Sequence, residues 1–174
     1  MRGMSAYRVS FVCTGNICRS PAAEVILRAR AQDAGLDVDV DSAGTDGWHV
    51  GDPADERAVR VMKDAGYDGS RHVARQFDES WFAERDLIVA LDRGHARILH
   101  SLAPDEESAA KIRLLRSFDP DLEDVSEEDR RIDVPDPYYD GSAEHVEFTA
   151  MIEQIEAAVD GMVDFLQERT EHPA

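Results

Sequence analysis

The chain has 174 residues, 43% hydrophobic and 32% charged, a composition that suits one compact globular domain and excludes a disordered polymer. Thirty-seven acidic against nineteen basic side chains leave a net charge of −18, a field that repels nucleic acid and anionic lipid, so neither is an expected partner. No apolar run is long enough to span a bilayer, the first residues do not read as a signal peptide, and Cys13 and Cys18 are too few for a disulfide framework or a zinc site. The expected setting is therefore reducing and cytoplasmic, with no metal and no organic cofactor.

Residues 1–6 read as a disordered N-terminal extension and 7–170 as one domain. Tyr7 to Cys13 alternates and then turns continuously apolar, the pattern of a strand buried in a parallel sheet. Ser20-Pro21 predicts a helix start, with serine as cap and proline in the first turn, and Gly35 predicts its stop. Val38 to Ser42 reads as a second strand. A helix is expected from Asp52-Pro53 to Gly66, with Ala58, Val61 and Met62 inward. Asp86 to Leu91 is the strongest strand, His95 to Leu102 a helix, and Ile112 to Leu115 a fourth strand. Phe118 to Gly141, acidic and punctuated by proline, reads as a long surface loop. Phe148, Met151, Ile152, Ile155, Val159, Met162, Val163 and Leu166 then mark one face of a long closing helix. Strands alternating with helices predict an α/β fold, a single doubly wound, Rossmann-like domain. Such sheets bind ligands beyond the carboxyl ends of their strands, so the loop after the first strand is the expected site.

That loop reads Cys13-Thr14-Gly15-Asn16-Ile17-Cys18-Arg19-Ser20. A strand end and a helix start bracket it, so unpaired backbone N–H groups converge at the positive end of a helix dipole. Gly15 is expected to supply the backbone freedom that turns several N–H groups inward. Arg19 can fork onto two phosphate oxygens, and the same donors that bind phosphate would stabilise a Cys13 thiolate. A lone cysteine at a strand end is more often a small buried hydrophobe. Its spacing to an arginine followed by serine, between a strand and a helix, favours a nucleophile facing a bound phosphoryl group. The lysine of a nucleotide-binding phosphate loop is missing.

Val12 to Glu24 (VCTGNICRSPAAE) resembles the signature of the low-molecular-weight protein tyrosine phosphatases, and three further stretches match in order: Asp41 to Thr45, Arg71 to Gln76, and Asp136-Pro137-Tyr138-Tyr139. The resemblance implies a four-stranded parallel sheet with helices on both faces. It implies hydrolysis of phosphotyrosine through a phosphocysteine on Cys13, phosphate held by Thr14 to Ser20 with Arg19 as clamp, and Asp136 as general acid and base. On its position alone Asp136 would pass for an aspartate in a proline-rich turn; Asp133 and Asp140 are the fallback acids. The resemblance also implies that Asn16, Ser20, Ser42 and His72 brace the loop. Family members often carry asparagine after the third strand, where this chain reads Asp92-Arg93-Gly94-His95, so part of that brace departs from the pattern.

The pocket walls are expected from Ile17, Trp48, His49, Tyr138 and Tyr139, a slot that admits an aryl phosphate and leaves phosphoserine short, while Trp81 reads as plain core. Related enzymes acting on phosphoarginine tend to carry threonine where this chain has Ile17. Cys18 is either a small packing residue or a redox partner that traps oxidised Cys13 as a disulfide. His95 and His100 are poorly spaced for shared metal ligation and receive no chemistry. An arsenate reductase would need further cysteines, and a mere phosphotyrosine-binding module would dispense with nucleophile or acid. The expected partners are phosphotyrosine-containing proteins, and the expected state is a monomer.

Overall fold

A computed structural model describes residues 6–171. All but the last residue of the expected N-terminal extension lies outside the described residues. Four strands, β1 (Tyr7–Cys13), β2 (Val38–Gly44), β3 (Leu87–Ala90) and β4 (Ile112–Leu114), pair in the order β2-β1-β3-β4, all parallel. The helices are α1 (Arg19–Asp33), α2 (Glu56–Asp64), α3 (Trp81–Glu84), α4 (Arg93–Leu102), α5 (Glu106–Ala109) and α6 (Val146–Glu171).

The sheet is buried on both faces, and the alternation along each strand shows how. Val9, Phe11 and Cys13 of β1, with Leu87 and Val89 of β3, join α1, α2 and α6 in one core. Val12, with Ile88 and Ala90, joins Phe77, Phe82, Leu99 and Ile132 in a second core on the opposite face. A strand facing apolar layers on both sides has no polar side to display, hence the continuous apolar run at the end of β1. Complete burial of one side chain such as Phe11 contributes about 1.5–3 kcal/mol. The fold is the expected doubly wound α/β domain.

Several boundaries differ from the expectation, each for a local reason. Helix α1 starts at Arg19, and Ser20 is no cap: its hydroxyl is engaged at the Cys13 sulfur instead. Helix α2 waits until Glu56 because Asp55, not Asp52, accepts from the Arg57 N–H as its cap. Trp81 is only partly buried, its ring lying edge-on to Phe77 and under the Arg85 guanidinium at 4.2 Å. The segment 118–141 is not all surface loop, for it carries short 3₁₀ turns at Pro120–Leu122 and Arg130–Ile132 and buries Ile132 and Val134. Helix α6 buries the predicted face, Val163 only partly. Among the described residues no helix is long and apolar enough to cross a membrane.

Strand β1 has β2 on one side and β3 on the other, so the crossovers leave in opposite directions and open a crevice at its carboxyl end. The Cys13 to Ser20 loop occupies that crevice. At Gly44, the residue paired with Cys13, an added Cβ would stand 2.5 Å from the Thr14 carbonyl oxygen. The close approach of the two backbones therefore requires glycine there.

Candidate active site

The loop turns through Asn16, which is fully buried with φ 59°. The left-handed residue is thus Asn16 rather than Gly15, the expected bend. Gly15 is needed for space instead, since a Cβ there would meet the His49 ring at 3.0 Å. Asparagine tolerates this backbone region better than most residues, and its amide repays the strain with hydrogen bonds. Asn16 Oδ1 accepts from the Arg75 N–H at 2.9 Å, while Nδ2 donates to Ser20 Oγ at 2.8 Å and Ser42 Oγ at 2.9 Å. His72 Nε2 donates to the Asn16 carbonyl at 2.6 Å, and burial lowers the His72 pKa, keeping the ring neutral.

These bonds have a direction. Ser42 receives from Asn16 and donates to Glu24 at 2.6 Å. Ser20 also receives from Asn16, so its own proton can go to Cys13 Sγ, 2.9 Å away, with the Ala43 carbonyl a longer alternative at 3.5 Å. Among the described residues, none of the backbone N–H groups from Thr14 to Cys18 donates to a backbone carbonyl, so they are free for an anion. Both cysteines are reduced and buried. Burial, with Asp55, Cys13 and Asp136 nearby, drives the Cys18 pKa well up, so Cys18 is a thiol.

Arg19 is only 4% exposed and held from behind. Its Nη1 donates to Asp92 Oδ2 at 2.7 Å and to the Val134 carbonyl at 3.0 Å, using both hydrogens. Its Nη2 lies 3.4 Å from His95 Nε2 and 3.7 Å from Asp136 Oδ2. The Nε and Nη2 edge is left to face a ligand, the edge that forks onto two phosphate oxygens. Burial alone would raise the Asp92 pKa, but contact with His95 and Arg19 outweighs it and holds the carboxylate below its ordinary range.

A cleft of about 270 Å³ opens above this loop, lined by Cys13, Thr14, Gly15, Ile17, Cys18 and Arg19 at its base. Asp46, Trp48, His49, Asp136, Tyr138 and Tyr139 line the rest. Trp48 and Tyr139 are each 86% exposed, and the Tyr138 and Tyr139 rings meet edge to face at 5.1 Å. His49 pairs with Asp52 at 3.2 Å. Asp136 Oδ1 accepts from the Tyr138 N–H at 3.1 Å, while its Oδ2 lies 3.7 Å from Arg19 Nη2. The two fallback acids are occupied elsewhere: Asp133 is bound by Arg93, and Asp140 accepts from the Ser142 and Glu147 N–H groups.

Three residues given no role in the sequence reading lie at this site. His95, given no chemistry, contacts both Thr14 and Arg19, which corrects that reading. Asp92 takes the anchoring place behind Arg19. Arg57 joins the loops, gripping Asp55 while its guanidinium lies 5.4 Å over the Tyr138 ring. Asp92 and His95 carried one readable signal, their place at the carboxyl end of β3 beside the crevice.

A doubly wound sheet that presents cysteine, arginine and a ring of free N–H groups at its switch point defines a phosphate-handling protein. The model of the low molecular weight phosphotyrosine protein phosphatase family matches residues 8–172, and the chain belongs to that family. It is 54% identical over 167 residues to a low molecular weight protein-tyrosine-phosphatase of Streptomyces coelicolor, covering 95% of this chain and 96% of that one. It is 45% identical over 163 residues to the low molecular weight protein-tyrosine phosphatase A of Mycobacterium tuberculosis, covering 92% of each. Among solved structures, a protein tyrosine phosphatase from Entamoeba histolytica superposes with a TM-score of 0.84 at 33% identity, over 95% of this chain and 99% of that one.

Proposed function

We propose that the protein hydrolyses phosphotyrosine side chains in two steps, with Cys13 as nucleophile, Arg19 as phosphate clamp and Asp136 as proton donor and acceptor. The observation that carries this is the convergence of all three on one cleft with an aromatic rim. The Cys13 thiolate attacks phosphorus, the phosphorus–oxygen bond to the phenol breaks, and Asp136 protonates the departing phenolate. The resulting Asp136 carboxylate takes a proton from water, which attacks the phosphocysteine and releases phosphate and the thiolate. Ser20 stabilises that thiolate, and the loop N–H groups with Arg19 carry the charge on the equatorial oxygens.

Trp48, Tyr138 and Tyr139 flank the aryl ring, and apolar Ile17 at the base favours it over a polar guanidinium phosphate. Cys18 is the redox guard of the nucleophile. Peroxide converts the Cys13 thiolate to a sulfenic acid, and the Cys18 thiol attacks its sulfur, giving its proton to the departing hydroxide so that water leaves and a disulfide closes, which thiols reopen. The deciding experiment compares phosphate release from matched phosphotyrosine, phosphoserine and phosphoarginine peptides without added metal, for the wild type and Cys13→Ser. Turnover of phosphotyrosine alone, abolished in the variant, is expected. Preference for phosphoarginine would overturn the reading of the rim, and unimpaired turnover by Cys13→Ser would overturn the nucleophile.

A further inference from the structure

His95 sits in the first turn of α4, its backbone N–H bonded to the capping Asp92 at 3.0 Å and the residue only 3% exposed. Its Nε2 lies 2.8 Å from the Thr14 hydroxyl and 3.4 Å from Arg19 Nη2. Arg19 can only donate, so a proton on Nε2 would set two N–H donors against each other across that 3.4 Å. The tautomer with the proton on Nδ1 removes the conflict. Nδ1 lies 3.1 Å from Asp92 Oδ1 outside hydrogen-bond geometry, so a proton there meets the carboxylate through charge attraction alone. One residue thus binds opposite ends of the phosphate loop, Thr14 just after the cysteine and Arg19 at the helix start.

Both hydrogens of Arg19 Nη1 are held by Asp92 and Val134, while Nη2 lies between His95 Nε2 at 3.4 Å and Asp136 Oδ2 at 3.7 Å. The Asp136 carboxylate, 3.7 Å from Nη2, attracts this nitrogen from one side. His95 supplies the counter-contact. We propose that His95 is a positioning residue for phosphoryl binding, whose Nε2 lone pair holds Thr14 and Arg19 Nη2 so that the free guanidinium edge faces the phosphorus site. This rests on the assignment of Arg19 as the phosphate clamp. Burial supports it by pulling the His95 pKa down to about 4, opposed by Asp92, Asp136 and Asp133 and reinforced by Arg19. The ring is neutral at physiological pH and its lone pair is available.

The test uses two nearly isosteric replacements, His95→Gln, whose amide oxygen can reach the place of Nε2, and His95→Met, which keeps length and volume without a comparable acceptor. Calorimetry of inorganic phosphate binding to the full chain in a Cys13→Ser background reads the effect apart from turnover. Thermal melting identifies any folding loss, with His95→Leu as a second apolar variant if the thioether disturbs α4. The expected result is phosphate affinity about tenfold weaker in His95→Met and within about threefold of the parent in His95→Gln. Equal weakening by both replacements, or none by either, would overturn the proposal. Phosphotyrosine turnover by the wild type, measured alongside, separates the two readings: its absence defeats the proposed activity, while the phosphate titrations still decide for or against His95.

Discussion

The base of the cleft and its rim are built on opposite principles. At the base, Asn16, Ser20 and Arg19 are all but excluded from solvent, and Asn16, Ser20 and the Nη1 end of Arg19 are tied to named partners. At the rim, Trp48 and Tyr139 stand 86% exposed, and the Asp136 side chain is 42% exposed. Charge that must be stabilised at the instant of reaction needs donors fixed in advance, because reorganisation at that moment would add to the barrier. A surface that receives varied protein segments gains from the reverse, exposed aromatic area that contributes only when covered.

Replacing a donor at the base therefore costs more than replacing any group at the rim. Arg19→Lys keeps the charge but loses the fork and the geometry that Asp92 and Val134 enforce. A fall of about 10³-fold in kcat/KM for a phosphotyrosine peptide is expected, since loss of one preorganised donor costs about 10²–10³. Retention of more than a tenth of the activity would show that the base is less preorganised than its bonds suggest.

Asp136 belongs to the rim by exposure and to the base by its proposed chemistry, so it sharpens the contrast. Asp136→Asn should lower kcat by about 10²–10³ for a phenolic leaving group, with KM little changed. With a more acidic leaving phenol the loss should shrink markedly, because protonation of the departing oxygen matters less. Equal losses on both esters would assign Asp136 a binding role instead.

The buried base should also carry an acid sensitivity. The His95 pKa lies near 4 in the fold against an ordinary 6.5 in the unfolded chain. Between those values the unfolded chain binds the extra proton, so this contribution is complete above pH 6.5 and is lost as pH falls toward 4. At most about 3 kcal/mol is at stake. His72, also lowered by burial, acts in the same direction. Urea midpoints measured at pH 7 and pH 5 should differ less for His95→Gln than for the wild type; parallel decreases would remove His95 as the cause.

The same contrast explains what the sequence could tell. Strands β1 and β3 were legible because burial on both faces leaves an apolar run, and α6 because one face is apolar at helical spacing. The Cys13 to Ser20 loop stood out because its residues are contiguous. Ser20 was misread as a cap since Ser-Pro carries that local signal, whereas the pull of Cys13 and Asn16 on its hydroxyl exists only in three dimensions. His95 was passed over for a similar reason. Its partners lie 81 and 76 residues away, and spacing along one helix reports only on neighbours in that helix. The distant members Ser42, His72 and Asp136 entered through family resemblance, because no local pattern joins them to Cys13.

The smallest effect belongs to the part of the rim farthest from the chemistry. Trp48 is so exposed that its removal should leave the melting temperature unchanged, as for other surface positions without special contacts. If it covers the substrate ring or the residues beside it, Trp48→Ala should raise KM about three- to tenfold, the worth of one aromatic contact, and leave kcat alone. A small aryl phosphate without flanking peptide separates these two contacts. Loss on both substrates would place the indole against the phosphorylated ring, and loss on the peptide alone would place it against the neighbouring chain. A fall in kcat instead would mean that Trp48 helps to hold the cleft closed during reaction, and the division between a preorganised base and an adaptable rim would fail at this residue.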